Sequence, residues 1–292
     1  MMRTARSGPH LCPICASKEP KALWGRKWGF EIRRCPACGV GETLLPDGFN
    51  PLEIYSEHYF KGERADGYAD YVGSAEVIRL EAQRLIDRLV EMGRGGGRLL
   101  DVGCAYGFFL DVARERFNVA GVEVCEAAAA SCRERGLDVE TGVLSHRFLM
   151  PRKPFDVVVM LDVIEHLPNP LEVLQLLHGS MSVGGHLMIT TGDWGSAMAR
   201  VAGTHWRLLT PPQHLFYFHR HSLRTLLERS GFRLVEVARP AKRVSVGLIA
   251  YQLQRLFGMT PRPLGALSRM SVRINLFDAM RVTAIRVDGV PS

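Results

Sequence analysis

The sequence predicts a doubly wound α/β domain with a mostly parallel sheet, preceded by a small module that its cysteines hold together. From about residue 74, short apolar runs alternate with stretches of helical periodicity. The run at residues 157–161 is continuously apolar, as in strands that helices cover on both faces. Two C-x2-C pairs lie within the first 40 residues. With 292 residues, the chain is long enough for one large domain and an appendage.

The elements of the domain alternate along the chain between helix and strand. The first helix begins at Ser74 and ends at Gly93, a second is capped by Asn169 with Pro170 in its first turn, and a third is capped by Ser222. The apolar positions of the first helix are Ile78, Ala82, Leu85, Leu89 and Met92. We expect seven strands, at about residues 98–102, 118–123, 138–141, 156–161, 186–191, 232–238 and 280–287.

Four of the seven cysteines form two pairs whose spacing is typical of a metal site. Nineteen residues separate the pair Cys12 and Cys15 from the pair Cys35 and Cys38. In a reducing compartment this spacing predicts a structural zinc ribbon over residues 1–50, with four thiolate ligands around a tetrahedral ion and a small hairpin nearby. The alternative is a redox pair or loose thiols. The other cysteines are interpreted as packing residues: Cys104, Cys125 and Cys132.

The net charge of +7 is concentrated at the two ends of the chain. Residues 1–50 carry 8 basic and 4 acidic side chains, residues 51–238 carry 20 and 24, and residues 239–292 carry 9 and 2. An enzyme that acts on nucleic acid normally has basic surface around its cleft, so phosphate-bearing partners are allowed but not required. Because there is no run of about 18 apolar residues and no signal-peptide core, we expect no membrane span and a cytoplasmic protein.

The turn after the first strand of the sheet is where a doubly wound fold binds its ligand. Here Gly103 and Gly107 allow a close backbone turn, but the glycine pattern of dinucleotide-binding proteins is missing. Asp101, inside the strand, suits a ligand that carries a positive charge. Twenty-two residues later, Glu123 ends the second strand, where a carboxylate can accept both hydroxyls of a ribose.

Together these residues resemble class I S-adenosylmethionine-dependent methyltransferases, a family with a Rossmann-like, seven-stranded sheet. The 101–107 loop is similar to the family's first motif and residues 155–158 to its fourth strand. Residues 161–170 and 211–218 resemble the small-molecule branch that includes ubiquinone-pathway O-methyltransferases. One departure is Ala105, which stands where many members have a glycine.

The resemblance implies a role for each matching residue. The loop would line the methionine part of the cofactor, Glu123 would bind the ribose, the turn after the third strand would contact the adenine, and the fourth strand would close the site. In that order the implied cofactor-binding residues are Asp101, Gly103, Ala105, Gly107, Glu123, Val143, Leu144, Met160 and Leu161.

Methyl transfer to a hydroxyl also requires removal of a proton from the acceptor. His166, just past the fourth strand, is the first choice of general base, Glu165 would orient it, and His214 is a second candidate base. The alternative is that His166 only caps a helix or bonds a loop carbonyl. His219 and His221 are interpreted as surface or packing residues.

Two further segments have open interpretations. Residues 51–73 form an aromatic lid or linker with Tyr55, Tyr59, Phe60, Tyr68 and Tyr71, or else pack plainly. The domain proper then covers residues 74–292, with a basic insertion at about residues 240–279 that packs on the sheet or contacts an anionic lipid surface. After the fifth strand, three residues are candidates for shaping the acceptor pocket: Asp193, Trp194 and Trp206.

Three functions remain open at this point. The first is methylation of a hydroxyl on a small molecule such as a sugar, a glycan or a secondary metabolite. A phosphate-bearing or lipid-linked acceptor would also suit the basic residues after position 239. The second is methylation of a ribosomal-RNA base, with the zinc ribbon contacting the phosphate backbone. Against it stand the acidic middle of the chain and the Glu165-His166 motif. The third is a non-catalytic module that binds zinc and cofactor.

Overall fold

A computed structural model describes residues 11–60, 70–152, 154–256, 262, 267 and 269–288. The chain divides into two compact units. Unit 1 comprises Met1–Pro51, Met160–Arg239 and Phe277–Ser292, and unit 2 comprises Leu52–Val159 and Pro240–Leu276. The predicted boundary at residue 50 is close to one of these limits, whereas the predicted 74–292 domain contributes segments to both units.

The main sheet has seven strands and is mostly parallel, which confirms the predicted fold class. The strand order is β10-β13-β8-β7-β4-β5-β6. Strand β4 pairs in parallel with β5 and β7, β5 pairs in parallel with β6, and β13 runs antiparallel to both β8 and β10. The strands are β4 Arg98–Val102, β5 Asn118–Glu123, β6 Val139–Thr141, β7 Phe155–Leu161, β8 Met181–Gly192, β10 Phe232–Ala238 and β13 Ala279–Arg286.

Three of the helices, α2, α6 and α8, begin close to the predicted residues, although the buried face of α2 differs from the predicted one. The helices are α1 Glu57–Phe60, α2 Ala75–Glu91, α3 Phe108–Ala113, α4 Glu126–Glu134, α5 His146–Leu149, α6 Pro170–His178, α7 Ala197–Ala202, α8 Arg220–Arg229 and α9 Val246–Leu256. Helix α2 buries Val77 and Ile86 beside the predicted Ala82 and Leu89. The predicted Ile78, Leu85 and Met92 are only half-buried.

The two predicted helix caps have different outcomes. Asn169 caps α6 as expected, because its side chain accepts a hydrogen bond from the Glu172 N–H and Pro170 takes the first turn. The residue that caps α8 is His219, and the predicted Ser222 lies three positions further on. The His219 ring accepts from the Ser222 N–H, and the Ser222 hydroxyl accepts from the His219 N–H, so the two form a reciprocal capping box.

Within unit 1, the cysteine-rich segment supplies three strands of a four-stranded antiparallel sheet. Strands β1 (Ala22–Lys27), β2 (Phe30–Arg34) and β3 (Gly41–Leu44) follow the chain, and β1 and β2 form the expected hairpin. The fourth strand is β9, Phe216–Tyr217, which pairs with β3. The sequence did not predict this pairing, because two residues are too few to show a period.

Within unit 2, the basic insertion forms a two-stranded antiparallel sheet and a helix. Strands β11 (Lys242–Ser245) and β12 (Ser271–Ile274) pair antiparallel, and β11 contacts α2. In α9, Tyr251 is buried. Over the part of the chain that the structure describes, each helix is too short or too polar to cross a membrane.

Candidate functional site

Three residues of the loop that follows β4 in unit 2 have a positive φ, and one residue separates each of them from the next. Their φ angles are 75° for Gly103, 48° for Ala105 and 69° for Gly107. Alanine rarely adopts this conformation, so Ala105 takes the backbone shape that a glycine would take, at a local cost in strain. At Gly107 a Cβ atom would lie 2.7 Å from the Cys132 Sγ. Glycine is therefore required there by both φ and space.

Glu123, at the end of β5, holds this loop in its shape. One carboxylate oxygen accepts a hydrogen bond from the Ala105 N–H at 2.8 Å, and the other accepts from the Cys125 N–H at 2.8 Å. Because a carboxylate offers about four lone-pair sites, it can bond a ligand hydroxyl as well as these two amides. The structure thus brings together the loop and the acid that the resemblance assigns to the cofactor.

Two buried carboxylates lie beside the loop with little water to solvate them. Asp101 is 2% exposed and Glu123 is 5% exposed. Burial raises the pKa of Asp101 well above its usual range, and the nearby charges of Glu123 and Cys132 raise it further. Burial also raises the pKa of Glu123, partly offset by its backbone N–H donors. A cation bound beside them would favour the ionised form of both acids and offset the cost of their burial, so the residues present fit a ligand with a sulfonium and an ammonium group.

The predicted adenine turn is connected to the same acid. The Gly142 N–H donates to the Glu123 carbonyl at 2.8 Å, so the turn lies against the end of β5. Val143 is exposed and Leu144 is nearly buried. In unit 1, Met160 is fully buried in β7, and Leu161 at its end is half-buried.

Aromatic rings from residues 51–73 pack against the loop at residues 103–107. Tyr106, which belongs to the loop, meets the edge of Phe60 at a ring-centroid distance of 5.4 Å. Tyr71 stacks on Phe108 at 5.7 Å. The predicted lid residue Tyr68 lies outside the described residues. Phe60 and Tyr71 therefore contact a residue of the loop, which is compatible with both a lid and plain packing.

The candidate bases form one cluster in unit 1. The rings of His166 and His214 meet edge to face with centroids 4.6 Å apart, and the His166 Nδ1 lies 3.0 Å from the Gln213 carbonyl oxygen. One ligand atom each of Glu165, His166 and His214 lies within 4.8 Å of the others. The structure thus unites two histidines that are 48 positions apart in the sequence.

Both imidazoles are in an environment that favours the neutral form. Burial lowers the pKa of His166, against opposing effects of the Gln213 carbonyl and Asp162. Burial, with a smaller effect of His166, lowers the pKa of His214 well below its usual range. A neutral imidazole can accept a proton, which is what a general base must do.

Asp162 is a site residue that sequence reasoning missed, although it lies within the quoted motif. It has φ 57°, which is uncommon for a residue other than glycine, and it directly follows β7. The Thr190 hydroxyl donates to its carboxylate at 2.9 Å, and its N–H donates to the Thr190 carbonyl at 3.0 Å. The signal in the sequence was an acidic residue immediately after a buried strand.

The residues proposed to shape an acceptor pocket are instead buried in packing. Trp194 and Trp206 belong to an apolar core with Ile32 and Tyr217. Asp193 is buried and forms an ion pair with Arg239. His219 caps α8 and stacks on His221, which agrees with a packing and surface role for these two histidines.

The four cysteines of the amino-terminal segment meet at one point in unit 1. The Sγ atoms of Cys12 and Cys38 are 3.8 Å apart, and those of Cys15 and Cys35 are 3.7 Å apart. All four sulfurs lie within 4.8 Å of one another. Four thiolates at about 2.3 Å from a tetrahedral zinc ion lie roughly 3.8 Å apart, so these sulfurs fit such an ion.

Comparison with known proteins identifies related sequences. The model of a family described as "Methyltransferase domain" matches residues 75–237. The ubiquinone biosynthesis O-methyltransferase of Pseudomonas aeruginosa is 31% identical over 106 residues, which cover 34% of this chain and 46% of that protein. The enzyme of the same name from Maricaulis maris is 31% identical over 152 residues, which cover 48% of this chain and 60% of that protein. The chain thus spans only about half of the length of these curated relatives.

A solved structure with a similar fold is that of magnesium protoporphyrin IX methyltransferase from Synechocystis PCC 6803 with bound SAH. The TM-score is 0.51 at 14% sequence identity, and the match covers 80% of this chain and 97% of that chain. At this identity the likeness concerns the fold alone.

Proposed function

The chain belongs to the methyltransferase-domain family, which confirms the resemblance in its sequence, and on this premise we propose that it methylates a hydroxyl of a small-molecule acceptor. S-adenosylmethionine would be the methyl donor. The observation that carries the proposal is the hydrogen bond from the Ala105 N–H to Glu123, because it joins the positive-φ loop to the acid at the end of the next strand.

The loop and the two buried acids of unit 2 would bind the cofactor. Asp101 and the turn from Gly103 to Gly107 would receive its methionine part, and Glu123 its ribose. Val143 and Leu144 would contact the adenine, since their turn is bonded to the Glu123 carbonyl. Met160 and Leu161, in unit 1, are the proposed cofactor residues of the fourth strand.

When bound, S-adenosylmethionine supplies a methyl group already activated by its sulfonium. The protein's main task is then to orient the acceptor, since reacting atoms held at about 3 to 3.5 Å react far faster than in solution. His166 would take the acceptor proton as general base, with Glu165 orienting it and His214 as the alternative base. Burial lowers the pKa of both imidazoles, so each is neutral at pH 7 and can accept a proton, and the smaller lowering at His166 leaves it the stronger base of the two.

A structural zinc ion would be held by Cys12, Cys15, Cys35 and Cys38. The sulfur spacing supports it, because the two Sγ–Sγ distances of 3.8 Å and 3.7 Å are close to the edge of a zinc–thiolate tetrahedron. The ion would stabilise a segment that is too small to form a core of its own. It has no step in the methyl transfer.

The acceptor is proposed to be a sugar, a glycan or a secondary metabolite. Relatives named as O-methyltransferases support oxygen as the atom that is methylated. The excess of basic residues after residue 239 is compatible with a phosphate-bearing or lipid-linked acceptor.

Calorimetry of S-adenosylmethionine binding tests the proposal. Glu123→Ala should weaken the affinity by about tenfold or more, which corresponds to roughly 1.4 kcal/mol for a charge-assisted hydrogen bond. Glu126→Ala is the matched control, because this carboxylate lies three residues away on the surface and pairs with Arg133. Equal affinities of the two variants would reject the ribose assignment.

A further inference from the structure

One residue of β3 hydrogen-bonds to two consecutive carbonyl groups beside the candidate base His214. Thr43 is buried, at 4% exposure. Its hydroxyl donates to the His214 carbonyl oxygen at 2.6 Å, and its N–H donates to the Leu215 carbonyl oxygen at 2.9 Å. The cysteine-rich segment is therefore hydrogen-bonded directly to the main chain at His214 and Leu215.

The same stretch of chain is held from the other side by the turn that carries His166. The Leu215 N–H donates to the Glu165 carbonyl at 2.8 Å, and the Gln213 carbonyl lies 3.0 Å from the His166 Nδ1. Residues 213–215 are thus bonded to β3 and to the 165–166 turn at once. The separation of the two imidazoles depends on both sets of bonds.

Strand β3 has little freedom to shift, because glycines bring it into close contact with its surroundings. A Cβ atom on Gly41 would lie 1.5 Å from the Trp194 ring, and one on Gly39 would lie 2.5 Å from the His219 Nε2. The second cysteine turn ends at Gly39, where the N–H donates to the Cys35 carbonyl at 2.9 Å. Only Val40 separates that turn from β3.

The charges of the cysteine-rich segment do not favour a surface that binds phosphate groups. Arg26 and Arg33 are ion-paired with Glu31, and Lys21 is ion-paired with Glu42. Three of its basic side chains thus have carboxylate partners within the same sheet. A nucleic-acid interface instead presents basic groups to the backbone phosphates.

We propose that the cysteine-rich segment acts as an internal brace, that is, it holds the main chain beside the pair His166 and His214 in place. Thr43 is the positioning residue for His214. The importance of this brace for catalysis depends on the proposed function, whereas the brace itself does not. Metal bound at the cysteines orders the turn that leads into β3, and β3 in turn holds the main chain at His214.

The test compares Thr43→Val, which removes the hydroxyl at nearly constant shape, with Thr43→Ser, which keeps it. Histidine ring proton signals are recorded by NMR and assigned with His166→Gln and His214→Gln. We expect Thr43→Val to move the His214 signal by more than its line width, with zinc content and S-adenosylmethionine affinity unchanged. In Thr43→Ser, the His214 signal should stay at its wild-type position.

The brace is overturned if Thr43→Val lowers only the melting temperature and leaves both histidine signals in place. It is also overturned if Arg26→Ala weakens the binding of a ribosomal-RNA hairpin while Thr43→Val leaves the histidine signals at their wild-type positions. The segment would then be an RNA-binding surface. Removal of zinc with a chelator should move the same signal as Thr43→Val. A failed Glu123→Ala test leaves these outcomes untouched, so the two hypotheses fail separately.

Discussion

The loop at residues 103–107 of unit 2 and the histidine cluster of unit 1 are built in different ways. In the loop, the two bonded residues Ala105 and Glu123 are 18 positions apart, and one strand–turn–helix contains most of the site. In the cluster, the His166 ring contacts the carbonyl of Gln213, 47 positions away in the sequence. The next carbonyl, that of His214, accepts a hydrogen bond from Thr43, which is 171 positions from His214. The first site depends on backbone conformation, whereas the second depends on long-range packing. We therefore expect the two sites to respond to different kinds of mutation.

The largest effect should come from the metal ligands. Cys35→Ser together with Cys38→Ser should abolish zinc binding and unfold the cysteine-rich sheet, because structural zinc contributes on the order of 10 kcal/mol or more to small modules. Atomic emission should give one zinc per wild-type chain and none in the variant. Cys125→Ser, in unit 2, is the control and should keep its zinc. Full zinc content in the double variant would reject the ligand set.

The next largest effect should be on turnover. His166→Ala should lower the rate of methyl transfer by about 10²- to 10⁴-fold, the usual contribution of a general base, with cofactor affinity intact. Transfer of a radiolabelled methyl group to an accepted hydroxyl compound measures it. His221→Ala is the control, since this ring is exposed. An unchanged rate would remove His166 from the mechanism and leave His214 as the base.

A smaller effect is expected at the loop, and it separates strain from steric overlap. Gly107→Ala and Gly136→Ala both introduce a side chain at positive φ, but only the first would bring a Cβ within 2.7 Å of Cys132. Gly136→Ala should destabilise the fold by about 1 to 2 kcal/mol. Gly107→Ala should lower the free energy of unfolding by more than Gly136→Ala does, as thermal unfolding measures it. It should also weaken the binding of S-adenosylmethionine. Equal losses in both variants would mean that the close approach to Cys132 does not matter.

The smallest effect is a dependence of stability on pH that arises in unit 1. The pKa of buried His214 is lowered in the folded state, so its contribution is present above its unfolded value of about 6.5 and is lost as the pH falls below that value. For one such group the slope is at most about 1.4 kcal/mol per pH unit. Urea unfolding at several pH values should give a shallower slope for His214→Asn. Identical slopes would contradict a buried neutral imidazole.

The parts of the molecule that sequence analysis predicted well are those determined by local pattern. The seven strands, the Asn169 cap and the hairpin of the cysteine-rich segment follow from periodicity and turn chemistry over a few residues. The α8 cap was assigned to Ser222 instead of His219, because serine is a preferred capping residue and histidine is not, and only the structure shows the His219 ring accepting from the Ser222 N–H. The two-residue strand β9 was missed because its pairing with β3 lies outside any sequence window.

The amino-acid sequence by itself determined the fold class and identified the loop, its acid and the four-cysteine set, because each has a recognisable residue pattern or spacing. Only the tertiary structure decided that His166 and His214 form a pair and that Thr43 holds the main chain between them. It also decided that Trp194 and Trp206 belong to a packed core instead of an open pocket. Such contacts depend on how distant segments pack, and burial then lowers the pKa of both imidazoles.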